Sequence, residues 1–374
     1  MAKLSNKQIK KLKMNLQQHA EPIVPIFDMV TASDVGTYWE TKAIEQPPYL
    51  GELLFPNNKQ TGMSLEWFLG QTGSPRALQP SAFGAEVIPR NRKDFSKIMT
   101  TLAFFRESYQ IDEELRQKLL LVMMTGNQSL IDNVLNLVFN DIKNLVDAAA
   151  VRREITRMDL LTTGKALIEG NGQTYSVDYE MPETHMGNAA TSWSDVANSD
   201  PVADLETAMD TIETDTGERP SRAILNNVTM RQLRNSKTIG LNLYPNGGSN
   251  IRVGANDVTK YLQDELNLEV VVYSKTYTDV NNLGVETTKK FIPDNVITLL
   301  PAANLGTTWF GTTPEEADLM ASNEADVVLV DTGVAVTTRK IVNPVTVETI
   351  VSMITMPTFE QRNKVFILNT IESV

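Results

Sequence analysis

Apolar residues recur at three- and four-residue steps from about Ser129 to Leu161. Leu130, Val134, Leu137, Val138, Ile142, Leu145, Val146 and Ala149 fall on one stripe, which predicts an amphipathic helix. Asn127 or Ser129 can cap its start, and Gly164 can stop its end. A helix of about thirty residues is ~45–50 Å long at 1.5 Å per residue, which suits a structural spine. A shorter helix, Asp112 to Met124, precedes it. Beyond it, Lys165 to Ile168 and Gln173 to Tyr179 flank Gly170-Asn171-Gly172, the strongest hairpin signal in the chain.

Residues 200–275 alternate helix and strand. Asp200-Pro201 opens a helix with a cap and a first-turn proline. Arg222 to Leu225 reads as a strand, Asn227 to Asn235 as a helix, and Leu241 to Gly254 as a loop. Asn256 to Leu266 reads as a helix and Leu268 to Ser274 as a strand. In the stretch from Lys289 to Leu300, Pro293 removes a backbone donor and Asp294-Asn295 closes a turn. The turn aims the apolar run Val296 to Leu300, a buried strand. The last forty or so residues are mostly β, rich in Val, Ile and Thr, and no internal repeat is visible.

The N-terminal third is different. Pro22, Pro25, Pro47, Pro48 and Pro56 prevent long helices and suit an extended arm. Asn57 to Gly62 is a turn cluster, and residues 63–108 predict a long β-hairpin or open loop. The second half of that loop carries Arg90, Arg92, Lys93, Lys97 and Arg106, with Phe83, Phe95, Phe104 and Phe105 among them.

Charge changes the picture. The net charge is −12, although Lys3, Lys7, Lys10, Lys11 and Lys13 stand in a head without an acid. So acidic a body repels phosphate and disfavours tight nucleic-acid binding. The basic head and the basic loop therefore read as arms that meet something acidic, such as a neighbouring subunit. A solvated terminus and a nucleic-acid patch are the competing readings. The absence of Cys excludes disulfides, thiol nucleophiles and thiolate metal sites. No apolar run reaches membrane-spanning length and the N-terminus is not a secretory signal, so a cytoplasmic protein without a membrane partner is expected.

The sequence carries no recognisable catalytic, cofactor-binding or metal-ligating constellation. His19 and His185 are far apart in sequence. Thr162-Thr163-Gly164-Lys165-Ala166 lacks the earlier Gly and the Ser or Thr of a phosphate loop. Glu315, Glu316 and Asp318 behind Pro314 read as the acidic first turn of a helix, with a cation site or acid/base pair as the alternative.

Three segments carry a family resemblance. They are Val271-Val272-Tyr273-Ser274 with Tyr277 and Lys289 to Asn295, then Thr191-Ser192-Trp193-Ser194-Asp195 followed by Asp200-Pro201, and the tail Ile350 to Pro357 with Val365 to Leu368. In order and spacing the chain resembles the lambda-like major capsid protein E family of tailed phages. The resemblance implies an α+β chain with the Hong Kong 97-type capsid fold. It implies an N-terminal arm (1–58), an E-loop (59–110), a peripheral domain with the spine helix (111–190), an axial domain (191–345), and a return to both domains (346–374). The implied function is self-assembly into hexamers and pentamers that tile an icosahedral virion shell. That shell encloses double-stranded DNA without sequence-specific binding. A portal protein and a separate scaffolding protein are the implied partners, with assembly in the cytoplasm of a bacterial host. The expected inter-subunit contacts are Arg90, Arg92, Lys93, Phe95 and Lys97 in the loop, and Lys10, Lys11 and Lys13 in the head. A separate scaffold is expected because the proline-rich start leaves no room for a fused one. An encapsulin-type compartment shell and a carboxylate-based enzyme are the alternative readings.

Overall fold

The predicted spine helix runs from Gln128 to Thr163, 36 residues without a break. It belongs to a computed structural model that describes residues 31–43, 47–68, 97–111, 113–124, 128–170, 173–246, 252–280, 284–322, 325–343 and 345–371. The chain forms two compact units. Of the described residues, one unit takes those up to 43 with those in 105–149 and 312–353, and the other takes those in 47–104, 150–311 and 354–371. The long helix gives its first part to one unit and its last part to the other.

In the first unit, Asp326–Val330 pairs antiparallel with Val334–Val342, which pairs in turn with the strand that begins at Val345. Val334, Ala335, Val336, Val347 and Ile350 are buried, as their β-branched or small side chains favour. Helix Ala32–Ala43 is tied to this sheet at its start, where Asp326 accepts from the Ala32 amide at 2.8 Å. A carboxylate there answers the unpaired amides and the positive end of the helix dipole. The helix approaches closely at Gly36, where a Cβ would stand 3.2 Å from the Val328 side chain.

On the long helix, Val138, Ile142, Val146 and Ala149 are buried, as their spacing predicts. Leu137 is not: it is 58% exposed, which corrects its placement on the buried stripe. At 100° per residue Leu137 points well away from Ile142, so a stripe wide enough to hold both covers too much of the helix.

The second unit is built on a five-stranded sheet ordered Met186–Asn188, Phe366–Asn369, Val296–Leu300, Arg222–Leu225, Glu269–Val272. Val296–Leu300 is the central strand and every residue of it is buried. Leu205, Met209, Ile212, Met230, Leu233 and Leu262 of the surrounding helices pack into one apolar core with Ile297 and Leu299. Asp200 caps helix Pro201–Thr216 as predicted, accepting from the Val202 and Ala203 amides. The predicted hairpin is present as Lys165–Gly170 paired with Gln173–Asp178.

The turn before the central strand is fixed by its side chains. Phe291 and Ile292 are buried. Asn226 donates to the Ile292 and Pro293 carbonyls and to Asp294, while Lys290 donates to Asp294 at 2.6 Å. Lys290 holds the Asp294 carboxyl below the usual carboxylate range, opposed by burial and helped by Asn226. Asn295 takes the left-handed conformation, φ 65°, which Asn tolerates better than most residues. Its carbonyl accepts from Thr370 at 2.8 Å, alongside the paired strand Phe366–Asn369.

Two local predictions are corrected. Asn57–Lys59, read as part of a turn cluster, is a short strand parallel to Thr308–Phe310. A seven-residue helix, Lys237–Leu243, runs into the stretch read as loop from Leu241.

Candidate assembly surfaces

The predicted loop between 63 and 108 has a paired root. Ser64–Phe68 and Lys97–Thr101 are antiparallel, in register from Ser64 opposite Thr101 to Phe68 opposite Lys97. Leu65 and Trp67 are buried, and the Trp67 ring lies 5.5 Å from Tyr179. That anchors the root on a buried ring of the second unit. Met63 and Met99 are exposed beside it. Of the predicted contact residues, Lys97 lies at the end of this ladder. Arg90, Arg92, Lys93 and Phe95, and Lys10, Lys11 and Lys13, lie outside the described residues.

The acidic stretch behind Pro314 is structural. Glu315 opens a short π-helical turn, Glu315–Leu319, and is buried. Ser352 donates to one carboxylate oxygen at 2.8 Å, and Arg106 meets the other at 3.1 Å. Thr313 accepts from the Glu316 amide at 3.3 Å, a weak cap. Gly164, in the discarded phosphate-loop match, ends the long helix at φ 69°. His185 is buried and meets Asp215 at 2.9 Å. Among the described residues, no three His, Cys, Asp or Glu are grouped to hold a metal ion, and no helix is long and apolar enough to cross a membrane.

One buried polar network escaped the sequence reading. Both oxygens of Glu154 accept from the Gly51 amide, and Tyr273 donates to Glu154 at 2.8 Å. Three residues on, Arg157 donates to Thr308 at 2.9 Å and to Asn57 at 2.5 Å, while Thr308 donates to the Phe55 carbonyl. Burial pushes the Glu154 carboxyl up, against the Gly51 amide, Tyr273, Arg157 and Lys275. The network fixes residues 51–57, which lead into the loop root, to the long helix. Gly51 leaves room for it: a Cβ there would stand 2.4 Å from Glu154.

The family described as phage major capsid protein E matches residues 31–366. The chain belongs to that family. It is a shell-forming structural protein of the virion capsid and not an enzyme. Capsid proteins of this kind assemble into multimeric shells, so copies of the chain are its partners. Solved structures share the fold. A protein assigned as the capsid protein of an E. coli CFT073 prophage aligns at TM-score 0.59 and 19% identity, over 91% of this chain and 99% of its own. A phage-related protein from Bordetella bronchiseptica RB50 aligns at 0.52 and 12%, over 92% and 99%. The cyanophage A-1(L) capsid protein aligns at 0.50 and 10%, over 96% and 98%. No curated protein matches the chain. The expected α+β capsid fold is thereby borne out.

Proposed function

We propose that this major capsid protein forms hexamers and pentamers that close an icosahedral shell around double-stranded DNA. The paired root at Ser64–Phe68 and Lys97–Thr101 carries the reading. It supports reading residues 59–110 as a loop anchored on its own subunit, and the basic run Arg90, Arg92, Lys93 and Lys97 gives that loop a reason to meet an acidic neighbour. Residues 1–58 form the arm, and 111–190 form the peripheral domain. The axial domain lies within 191–345, with Phe366–Asn369 returning to its sheet. Many contacts of modest strength, repeated over a closed shell, add by multivalency. An acidic body does not trap the DNA that it encloses.

A separate scaffolding protein and a portal protein complete the assembly, and the head Lys3 to Lys13 is the arm's acid-seeking part. Its contact weakens with salt, since exposed charges are screened beyond about 8–10 Å. The test is expression of the chain alone and with its genomic neighbours, followed by electron microscopy. Closed regular particles in the presence of the neighbours are expected. Uniform, correctly sized shells from the chain alone would remove the scaffold. Unchanged assembly after deletion of residues 2–13 would remove the role of the head.

A further inference from the structure

Between residues 133 and 149 of the long helix, Asn133, Asn136, Leu137, Asn140, Asn144 and Ala148 are turned to solvent. At 100° per residue they share a sector of about 120°, opposite Val138, Ile142 and Val146. None is charged, in a chain that is 21% charged. The charged residues of the same stretch are half-buried and tied within their own unit. Tyr109 donates to Asp141 at 3.0 Å, Trp39 to Asp147 at 3.2 Å, and Lys143 pairs with Asp147.

Asparagine is a poor residue for this position. Its amide competes for backbone hydrogen bonds, and solvent-facing helix sites are better filled by Glu, Lys, Gln or Arg. One of the four is used internally, because Asn140 accepts from Tyr38 at 2.8 Å. Folding gives no comparable reason for a run of neutral amides around a 58%-exposed leucine. Depletion of charge around an exposed apolar residue is the composition of an interface core. Amides also offer a partner donors and acceptors without a charge to desolvate.

We propose that this neutral face of the long helix is a contact surface for a second copy of the chain. The proposal rests on the shell-building function, which makes copies of the chain the available partners. It is a different contact from the charge-steered one, since the basic loop needs an acidic surface and this face has none.

The chain has no cysteine, so a single introduced thiol reports cleanly. Asn136→Cys, Leu137→Cys and Asn144→Cys would be reacted with a maleimide in dissociated subunits and in empty assembled particles. The thiols should react freely in subunits and at least about tenfold more slowly in particles, as expected for a water-excluding contact. Equal rates in both would overturn the proposal and leave the shell reading standing. Protection that appears only with DNA or a helper protein inside would give the face to that partner and overturn the second-copy assignment. Failure of the unmodified chain to form any particle with its genomic neighbours would overturn the shell reading, and this proposal with it. A second pair, Asn136→Lys with Asn144→Lys, should leave folded subunits and abolish particle formation, and unchanged particle yield would count against the contact.

Discussion

The long helix and helix Pro201–Thr216 are alike inside and unlike outside. Each buries an apolar stripe: Val138, Ile142 and Val146 in the first, Leu205, Met209 and Ile212 in the second. On the second helix, the outward positions include Glu206, Asp210, Glu213 and Asp215, and Arg219 bridges Asp210 and Glu213. On the first, between residues 133 and 149, they are asparagine, leucine and alanine. The inner stripe is what folding requires of an amphipathic helix. The outer stripe is free of that requirement, so its composition reports what it meets. A charged face suits water, and a neutral face suits another subunit.

A carboxylate placed on either face separates the two roles. Ile142→Asp would bury an unpaired carboxylate and cost about 4 kcal/mol or more. Loss of cooperative thermal unfolding is the expected readout. Leu137→Asp, on the exposed side, should move subunit stability by no more than about 0.5 kcal/mol, yet prevent particles. Similar melting losses for both variants would erase the distinction between the two faces.

Farther along the long helix, charged groups turn inward. Burial raises the Asp159 carboxyl from 3.8 to about 6, with Arg152 and Lys289 offsetting only part of it. The folded chain therefore binds this proton more tightly than the unfolded chain. Its stabilising contribution is full below about pH 4 and is lost as pH rises through about 6. Asp159→Asn should raise stability at pH 7 by about 1–3 kcal/mol and flatten the pH dependence in that window. Denaturant titrations at pH 4, 5, 6 and 7 would check it, and parallel pH profiles for variant and parent would contradict it.

Charge reversal at Arg90, Arg92 and Lys93 tests the other kind of surface. Each exposed pair is worth about 1 kcal/mol or less, but the loss repeats at every contact of a shell. The triple Glu variant should give soluble folded subunits that do not close, measured by sedimentation. Normal shells would end the charge-steering account. The smallest effect is Asn144→Ala, which should stabilise the dissociated subunit by about 0.5 kcal/mol through helix propensity alone. A loss of similar size would mean that Asn144 already has a partner inside its own chain.

Much of the fold was legible because its signals are local. Val296–Leu300 is a continuous apolar run behind a proline turn, and Asp200-Pro201 carries both a cap and a first-turn proline. Arg222–Leu225 and Asn227–Asn235 lie where periodicity puts them. What failed was tertiary. Asn57–Lys59 reads as a turn and becomes a strand because Thr308–Phe310, some 250 residues away, pairs with it. Helix Lys237–Leu243 has Gly240 at its centre and too few residues to show a period. Of the two proposed assembly surfaces, composition pointed to the charged one and not to the neutral one. Leu137 sits one position before Val138, and spacing alone assigned both to the core. The Glu154 network joins residues from Gly51 to Thr308, and nothing in the sequence announces such a pairing.

An electron cryo-microscopy reconstruction of particles formed by this chain with its genomic neighbours would show what the outer face of the long helix meets. The predicted result is a closed icosahedral shell of five- and six-membered rings in which Leu137 lies against another subunit. A small open oligomer, or a shell with Leu137 facing solvent, would contradict it.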